Sequence, residues 1–156
     1  MKNLALGKNT ESPVFFKAGT VIFAQGDNSP NLILVKRGFI RLMKSNSKNL
    51  SVFKICKDKE ILNEVSVLTS QPITFSAIAK TDVELVFIEQ KDILTVLKSG
   101  PNWIPEMFET LCDRLISTET IIDEHNLLAG EKSPEFLLTK DEERACLEAL
   151  AEYRNA

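Results

Sequence analysis

The chain has 156 residues, of which 44% are hydrophobic and 26% charged, and its formal net charge is −3. This length suits one domain with a small appendage, and this composition supports a packed core rather than a disordered chain. No stretch approaches the ~20 apolar residues of a membrane-spanning helix, and Met1–Gly7 lacks the apolar centre of a signal peptide. We therefore expect a cytoplasmic protein without a membrane partner.

Cysteine and histidine are sparse and scattered. Cys56, Cys112 and Cys146 show no CxxC spacing, which argues against a disulfide framework and a thiolate zinc site, and we interpret them as small buried hydrophobic residues. His125 is the only histidine, so no histidine cluster can bind a metal, and no GxSxG motif accompanies it. The sequence predicts no metal site and no hydrolase triad.

The charge is unevenly distributed along the chain. From Ser117 onward ten acidic residues oppose four basic ones, whereas the first 116 residues carry 15 basic and 12 acidic residues. Nucleic-acid binding needs a basic face that neutralises phosphates, and the acidic tail has the wrong sign for this task. We predict no nucleic-acid partner.

Short apolar runs separated by turn residues extend from Val14 to Ile88. They are rich in Val, Ile, Leu and Phe, and each has the length of a strand. The predicted strands are Val14–Phe16, Val21–Phe23, Leu32–Val35, Phe39–Met43, Leu50–Cys56, Thr74–Ala79 and Val83–Ile88. Such regular spacing indicates an antiparallel sandwich or barrel, with Asn63–Leu68 as a short helical turn between two strands.

Helical periodicity replaces this pattern after Glu89. The segment Lys91–Lys98 is stopped by Gly100 and Pro101, and a longer helix is predicted from about Trp103 to Ala129. Apolar and small residues recur on the longer helix at steps of four and three: Ile104, Phe108, Leu111, Leu115, Thr118, Ile122, His125 and Ala129. This heptad spacing suits a helix–helix seam in a homodimer, and the same stripe also suits packing on the β-domain. We interpret His125 as a register-setting or solvent-edge residue rather than a catalyst.

A last helix is predicted from Lys140 to about Arg154, after a polar connector. Thr139 and Glu142 have the spacing of a capping box, in which each side chain satisfies an otherwise unpaired backbone N–H group. The helix carries few large apolar residues. We interpret it as a docking helix that packs against its own domain or against a partner.

Three ordered segments resemble a known family. They are Phe16–Asp27, Val35–Leu42 and Lys59–Ala77, the last without its variable stretch Thr69–Gln71. Together they resemble the cyclic nucleotide-binding domain, the β-roll of the catabolite activator protein, of protein kinase A regulatory subunits and of cyclic-nucleotide-gated channels. The resemblance covers roughly Val14 to Leu128.

The resemblance implies a mainly β fold, an antiparallel β-roll of the jelly-roll type followed by a long helix and a short terminal helix. We accordingly divide the chain into a lead (1–13), a β-roll (14–100), a long helix (101–130) and a connector with the acidic terminal helix (131–156).

In this family a cassette of the form Gly-Glu-(Leu/Ile)-Ala-Leu, then Pro-Arg-Ala-Ala-(Thr/Ser), binds the ligand. The glutamate accepts a hydrogen bond from the ribose 2′-hydroxyl, and backbone N–H groups and the arginine hold the cyclic phosphate. Glu64, Pro72 and Ser76 match this pattern. The resemblance implies these ligand-binding positions: Asn63, Glu64, Val65, Ser66, Ile73, Thr74, Phe75 and Ser76.

The departures from the pattern fall on the residues that hold the phosphate. Ile73 stands at the arginine position, Asn63 and Lys59 stand at glycine positions, and Thr74–Phe75 replaces the alanine pair. Loss of a charge-assisted hydrogen bond costs about 1.5–3 kcal/mol, or about one to two orders of magnitude in affinity. Phe75 is large enough to fill the cavity, whereas Lys59 offers a replacement charge.

Two functions follow as hypotheses. The first is a non-catalytic signalling or adaptor protein that has lost the cyclic nucleotide site, needs no cofactor and acts through protein partners. The alternative is a sensor of a cyclic or other nucleotide with an altered pocket. A transcription regulator is disfavoured, because only 27 residues follow Ala129, too few for a helix-turn-helix domain. An enzyme is not predicted, since adjacent acids such as Asp123 and Glu124 diverge by ~100° on a helix.

Overall fold

The computed structural model describes residues 12–46, 49–124 and 134–156. Eight strands and four α-helices follow one another within these residues. The strands are β1 Val14–Phe16, β2 Val21–Phe23, β3 Asn31–Arg37, β4 Ile40–Asn46, β5 Asn49–Cys56, β6 Ile61–Leu62, β7 Ser76–Ala79 and β8 Val83–Glu89. The helices are α1 Glu64–Thr69, α2 Gln90–Ser99, α3 Trp103–Glu124 and α4 Lys140–Asn155.

The strands form two antiparallel four-stranded sheets. The first sheet has the order β1-β8-β3-β6 and the second the order β2-β7-β4-β5, so strands distant in sequence become neighbours. Side chains alternate along a strand, and the inward-facing residues of both sheets form one core. Its buried members are Phe23, Ile33, Val35, Ile40, Leu42, Cys56, Leu62, Ile73, Ala77, Ala79, Val83 and Leu85.

All seven predicted strands are confirmed, with differences at their ends. The strand predicted from Thr74 begins at Ser76, and the backbone of Ile73, just before the predicted start, pairs with the loop after β2. The prediction missed β6, whose two residues, Ile61 and Leu62, pair with Leu34 and Ile33 of β3. Two residues are too few to show a strand period.

The helices also follow the predictions. α1 and α2 coincide with the predicted short turn and with the helix before Gly100, and α3 begins at Trp103 as expected. The predicted continuation of α3 to Ala129 lies outside the described residues, as does His125. Within the described ranges, no helix is long and apolar enough to cross a bilayer.

The terminal helix α4 docks on the outer face of the second sheet. Its N-terminus has the predicted capping box, with the Thr139 side chain accepting from the Glu142 backbone and the Glu142 side chain accepting from the Thr139 backbone. Cys146 and Leu150 are its buried residues and belong to a second apolar cluster with Val21, Ala24, Met43, Leu50, Val52 and Ile78. The sequence left open whether this helix packs against its own domain or against a partner. The structure shows that it contacts its own domain.

Candidate functional site

Backbone conformations that glycine normally adopts shape the entrance to α1. Lys59 has φ 71° and Asn63, the residue before α1, has φ 69°; both stand where the family pattern has glycine. Asparagine enters the left-handed region more readily than other residues with a side chain, so the backbone of the cassette persists without either glycine. Asn63 is fixed there by its side-chain amide, which donates to the backbone oxygen of Asn31 at 2.9 Å.

The segment Pro72–Phe75, here called the cassette segment, forms the facing wall. Its backbone is tied to the loop after β2 by two hydrogen bonds: the Ile73 N–H group donates to the Asp27 oxygen at 2.9 Å, and the Gly26 N–H group donates to the Ile73 oxygen at 2.8 Å. The Ile73 side chain is only 3% exposed and packs in the core between the sheets. The residue at the arginine position is thus a core residue.

A cavity of about 190 Å³ lies between α1, the cassette segment and α3. It is lined by Asn63, Glu64, Val65, Ser66, Gln71, Pro72, Ile73, Thr74, Phe75, Ile116 and Thr120. Of the described residues that line it, Glu64 is the only acidic one and none is basic. The cavity therefore offers a carboxylate, hydroxyl and amide groups, and an apolar wall.

Seven of the eight predicted ligand-binding positions line this cavity, and Ser76 does not. Ser76 is 1% exposed, and its hydroxyl accepts a hydrogen bond from the Gln25 N–H group at 2.9 Å. Sequence reasoning missed Ile116 and Thr120 on α3, and Gln71. Ile116 and Thr120 lie four residues apart, so a search for a second inward-facing stripe on the long helix would have found them.

Phe75 belongs to an aromatic cluster as well as to the cavity wall. Its ring meets Phe23 and Phe53 edge to face, with centroid distances of 5.5 and 5.7 Å. Such contacts add about 0.5–1.5 kcal/mol beyond the burial of the ring area. The ring is held against the core, and a cavity remains beside it.

Among the described residues, no basic side chain lines the cavity in place of the missing arginine. Lys59 is absent from the lining residues, and its backbone N–H group donates to the Val35 oxygen at 2.8 Å. The Lys54 ammonium pairs with Glu60 at 3.1 Å. Burial lowers the pKa of Lys54, but the hydrogen bond to Glu60 and neighbouring negative charges raise it above its ordinary value. Among the described residues, none donates a hydrogen bond to the side-chain carboxylate of Glu64.

The described residues show neither a metal site nor a reactive thiol. No group of three or more His, Cys, Asp or Glu residues among them could hold a metal ion. Cys56, Cys112 and Cys146 are all free and buried, as interpreted from the sequence. Burial raises the pKa of Cys56 to about 11, which keeps this thiol protonated and poorly nucleophilic.

The side chains of the stripe predicted on the long helix differ in exposure. Phe108 is half-buried, and Cys112, which lies four residues later and outside the predicted stripe, is 5% exposed. Leu111 and Leu115 are each 45% exposed, Thr118 is exposed and Ile122 is half-buried. Further exposed apolar side chains on α3 were not predicted: Trp103, Met107 and Ile121. The outer stripe consists of Trp103, Met107, Leu111, Leu115 and Ile121.

The comparison with protein families matches the described fold. The sequence profile of the cyclic nucleotide-binding domain matches residues 13–99, which is more than half of the chain. The chain belongs to the cyclic nucleotide-binding domain family, and the resemblance drawn from the sequence is confirmed.

Two curated relatives are much longer proteins. Human patatin-like phospholipase domain-containing protein 6 is 26% identical over 102 residues, which are 64% of this chain and 7% of that protein. Rat patatin-like phospholipase domain-containing protein 7 is 23% identical over 108 residues, 68% of this chain and 8% of that protein. The matched region thus spans less than a tenth of either relative.

Three solved structures share the fold. The cAMP-bound form of the EAL enzyme Bd1971 has a TM-score of 0.62 and 21% identity, covering 74% of this chain and 32% of that chain. The Thermus thermophilus catabolite activator protein has a TM-score of 0.59 and 24% identity, covering 73% and 54%. The Toxoplasma gondii protein kinase A regulatory domain with cAMP has a TM-score of 0.55 and 14% identity, covering 65% and 38%. These likenesses confirm the predicted β-roll with C-terminal helices.

Proposed function

We propose that this chain is a non-catalytic signalling or adaptor domain that does not hold a cyclic phosphate and acts through contacts with proteins. One observation carries the proposal. The arginine position is occupied by Ile73, 3% exposed in the core, and none of the described residues that line the cavity is basic. The cyclic nucleotide-binding fold then serves as a platform, and the phosphate site is degenerate.

The electrostatics of the cavity oppose a phosphodiester. An anion that leaves water must be compensated by hydrogen bonds or by an opposite charge, and no basic side chain among the described residues lines the cavity to supply that charge. The missing charge-assisted bond alone is worth about 1.5–3 kcal/mol, which lowers affinity about tenfold to a hundredfold.

Isothermal titration with cAMP and cGMP tests the proposal, after mass spectrometry has checked the purified protein for bound nucleotide. We expect no saturable heat. Thr120→Arg is the informative variant, because Thr120 lines the cavity from α3 and the substitution adds a cation without disturbing the core. We expect this variant to gain measurable binding, whereas micromolar binding by the unaltered chain would overturn the proposal.

A second candidate function, a sensor with an altered pocket, is favoured by Glu64. Its carboxylate lines the cavity and accepts no hydrogen bond from the described residues, so it is available to a ligand that donates. An uncharged ligand with hydroxyl groups, such as a nucleoside, would meet this acceptor without burying an unpaired phosphate.

Thermal shift with adenosine and guanosine tests this second function. A sensor predicts stabilisation by one nucleoside that Glu64→Gln removes and that the control Asp92→Asn, on α2, retains. No shift with either nucleoside would count against a nucleoside sensor and leave the platform function as the better account.

The outer stripe on α3 is the surface that we propose for protein contacts, with a second copy of this chain as its occupant. Leu111 and Leu115 of this stripe belong to the predicted heptad series, which continues on the same face of α3 through Thr118 and Ile122, and heptad spacing is typical of helices that pack side by side. Leu111 and Leu115 are half-exposed although both are large and apolar. Two copies of the same stripe bury each other in a symmetric dimer.

A further inference from the structure

Three polar contacts fasten α4 along its length to the second sheet and its loops. Near the start of the helix Glu142 pairs with Arg41 at 2.5 Å, and Glu143 accepts from the Leu50 N–H group at 3.2 Å. At the far end the Tyr153 hydroxyl donates to the Asp27 carboxylate at 2.9 Å. Between them Cys146 and Leu150 supply the apolar contact.

Asp27 contacts both α4 and the cassette segment. Its side-chain oxygen Oδ2 accepts from the Tyr153 hydroxyl and from the Ala24 N–H group, each at 2.9 Å. Its backbone oxygen accepts from the Ile73 N–H group at 2.9 Å, and the neighbouring Gly26 N–H group donates to the Ile73 oxygen. The loop after β2 therefore contacts the C-terminal end of α4 on one side and the cassette segment, a wall of the cavity, on the other.

We propose that α4 is a regulatory helix whose docking on the second sheet and the conformation of the cassette segment stabilise each other through Asp27. Because such coupling is reciprocal, anything that displaces the cassette segment weakens the docking of α4 by the same factor. A partner that captures α4 likewise loosens the cassette segment. The coupling does not depend on which ligand the cavity takes.

The chemistry of Tyr153 suits this connection. Burial, together with the hydrogen bond to Asp27, raises the pKa of Tyr153 to about 12, so the hydroxyl remains a donor at neutral pH. Undocking α4 would also expose the apolar face formed by Val21, Met43 and Ile78, which returns the helix to its place once the perturbation is removed.

Amide hydrogen exchange on the full chain, followed by NMR, tests the coupling without any nucleotide. Tyr153→Phe removes only the hydroxyl, and we expect the Ile73 amide to exchange roughly threefold to tenfold faster, the range that corresponds to loss of one hydrogen bond. Leu147→Ala is the matched control, because Leu147 lies on α4 and is half-exposed. It should leave the Ile73 amide at its original rate.

Leu150→Ala provides the decisive second variant, since it removes the main apolar contact of α4 with the sheet. We expect faster exchange throughout α4 and at Ile73, while the amides of β3 keep their rates. Pro72→Gly provides the reciprocal test and should speed exchange at the Leu150 amide.

Faster exchange in α4 with an unchanged Ile73 amide would overturn the coupling. Should Leu150→Ala fail to fold, Leu150→Val is judged by the same criterion. The cAMP titration tests the proposed function, whereas the hydrogen-exchange rates test the coupling. The failure of one can therefore be distinguished from the failure of the other.

Discussion

At the scale of single residues, the distance between a glycine and the neighbouring backbone determines whether another residue can replace that glycine. Gly38 has φ 94°, and a Cβ atom there would lie 2.4 Å from the Asp82 carbonyl oxygen. Gly26 has a similar φ of 93°, but a Cβ atom would meet nothing within 4 Å. The first position combines backbone strain with a steric clash, and the second has the strain alone.

We therefore expect Gly38→Ala to destabilise the protein by about 2–4 kcal/mol and the matched variant Gly26→Ala by about 1–2 kcal/mol. Urea unfolding followed by circular dichroism measures both. If both variants lost the same free energy of unfolding, the turn at Gly38 would have relaxed and the clash with Asp82 would not contribute to the loss.

The same scale shows how much of the candidate site could be predicted from the sequence. Glu64 and the segment around Ile73 were found because local spacing in the chain matched a family pattern. The burial of Ile73 and the partner of Ser76 could not be predicted, because both depend on the loop after β2, about fifty residues earlier. Motif spacing identifies positions, and packing determines which way their side chains face.

At the scale of elements, the N-terminus of α4 contains a titrating group that matters for docking. Hydrogen bonds from the Thr139 backbone and from Arg41 hold the pKa of Glu142 below its ordinary value. A carboxylate with a lowered folded-state pKa contributes stability above its unfolded value, about 4.3, and loses that contribution as the pH falls through the folded value.

We therefore expect the free energy of unfolding of Glu142→Gln to fall less between pH 7 and pH 3 than that of the unaltered chain. Glutamine still accepts in a capping box but has no charge to titrate. Between pH 7 and pH 3 the unaltered chain should lose about 0.5–1 kcal/mol more than this variant, because the half-exposed pair with Arg41 is screened by solvent. Urea unfolding at both pH values measures the difference. Glu152→Gln, an exposed control on α4, should behave as the unaltered chain, and parallel losses in all three proteins would contradict the role of Glu142.

At the scale of the whole molecule, the proposed dimer can be tested by its oligomeric state. Leu111→Glu places a charge in the outer stripe, whereas Ser117→Glu places the same charge on another face of α3. We expect sedimentation analysis to show a dimer for the unaltered chain and for Ser117→Glu, and a monomer for Leu111→Glu. A monomer at every concentration of the unaltered chain would exclude self-association through this stripe.

In the longer relatives, the matched region is only a small part of the whole protein. The chain matches less than a tenth of the patatin-like proteins and about a third of the EAL enzyme Bd1971. Under the proposed platform function, the outer stripe of α3 is the surface that we propose for contacts with a second copy of this chain.

The amino-acid sequence by itself determined seven of the eight described strands, the described helices to within a few residues, the capping box of α4 and the class of fold. These features arise from side-chain period, turn residues and hydrogen bonds between neighbours in the chain. Only the tertiary structure decided that Ile73 is a core residue, that α4 covers the second sheet and that Tyr153 reaches Asp27, 126 positions away. Contacts of this kind leave no local pattern, because their energy comes from surfaces that meet only when the sheets have packed and the chain has closed on itself.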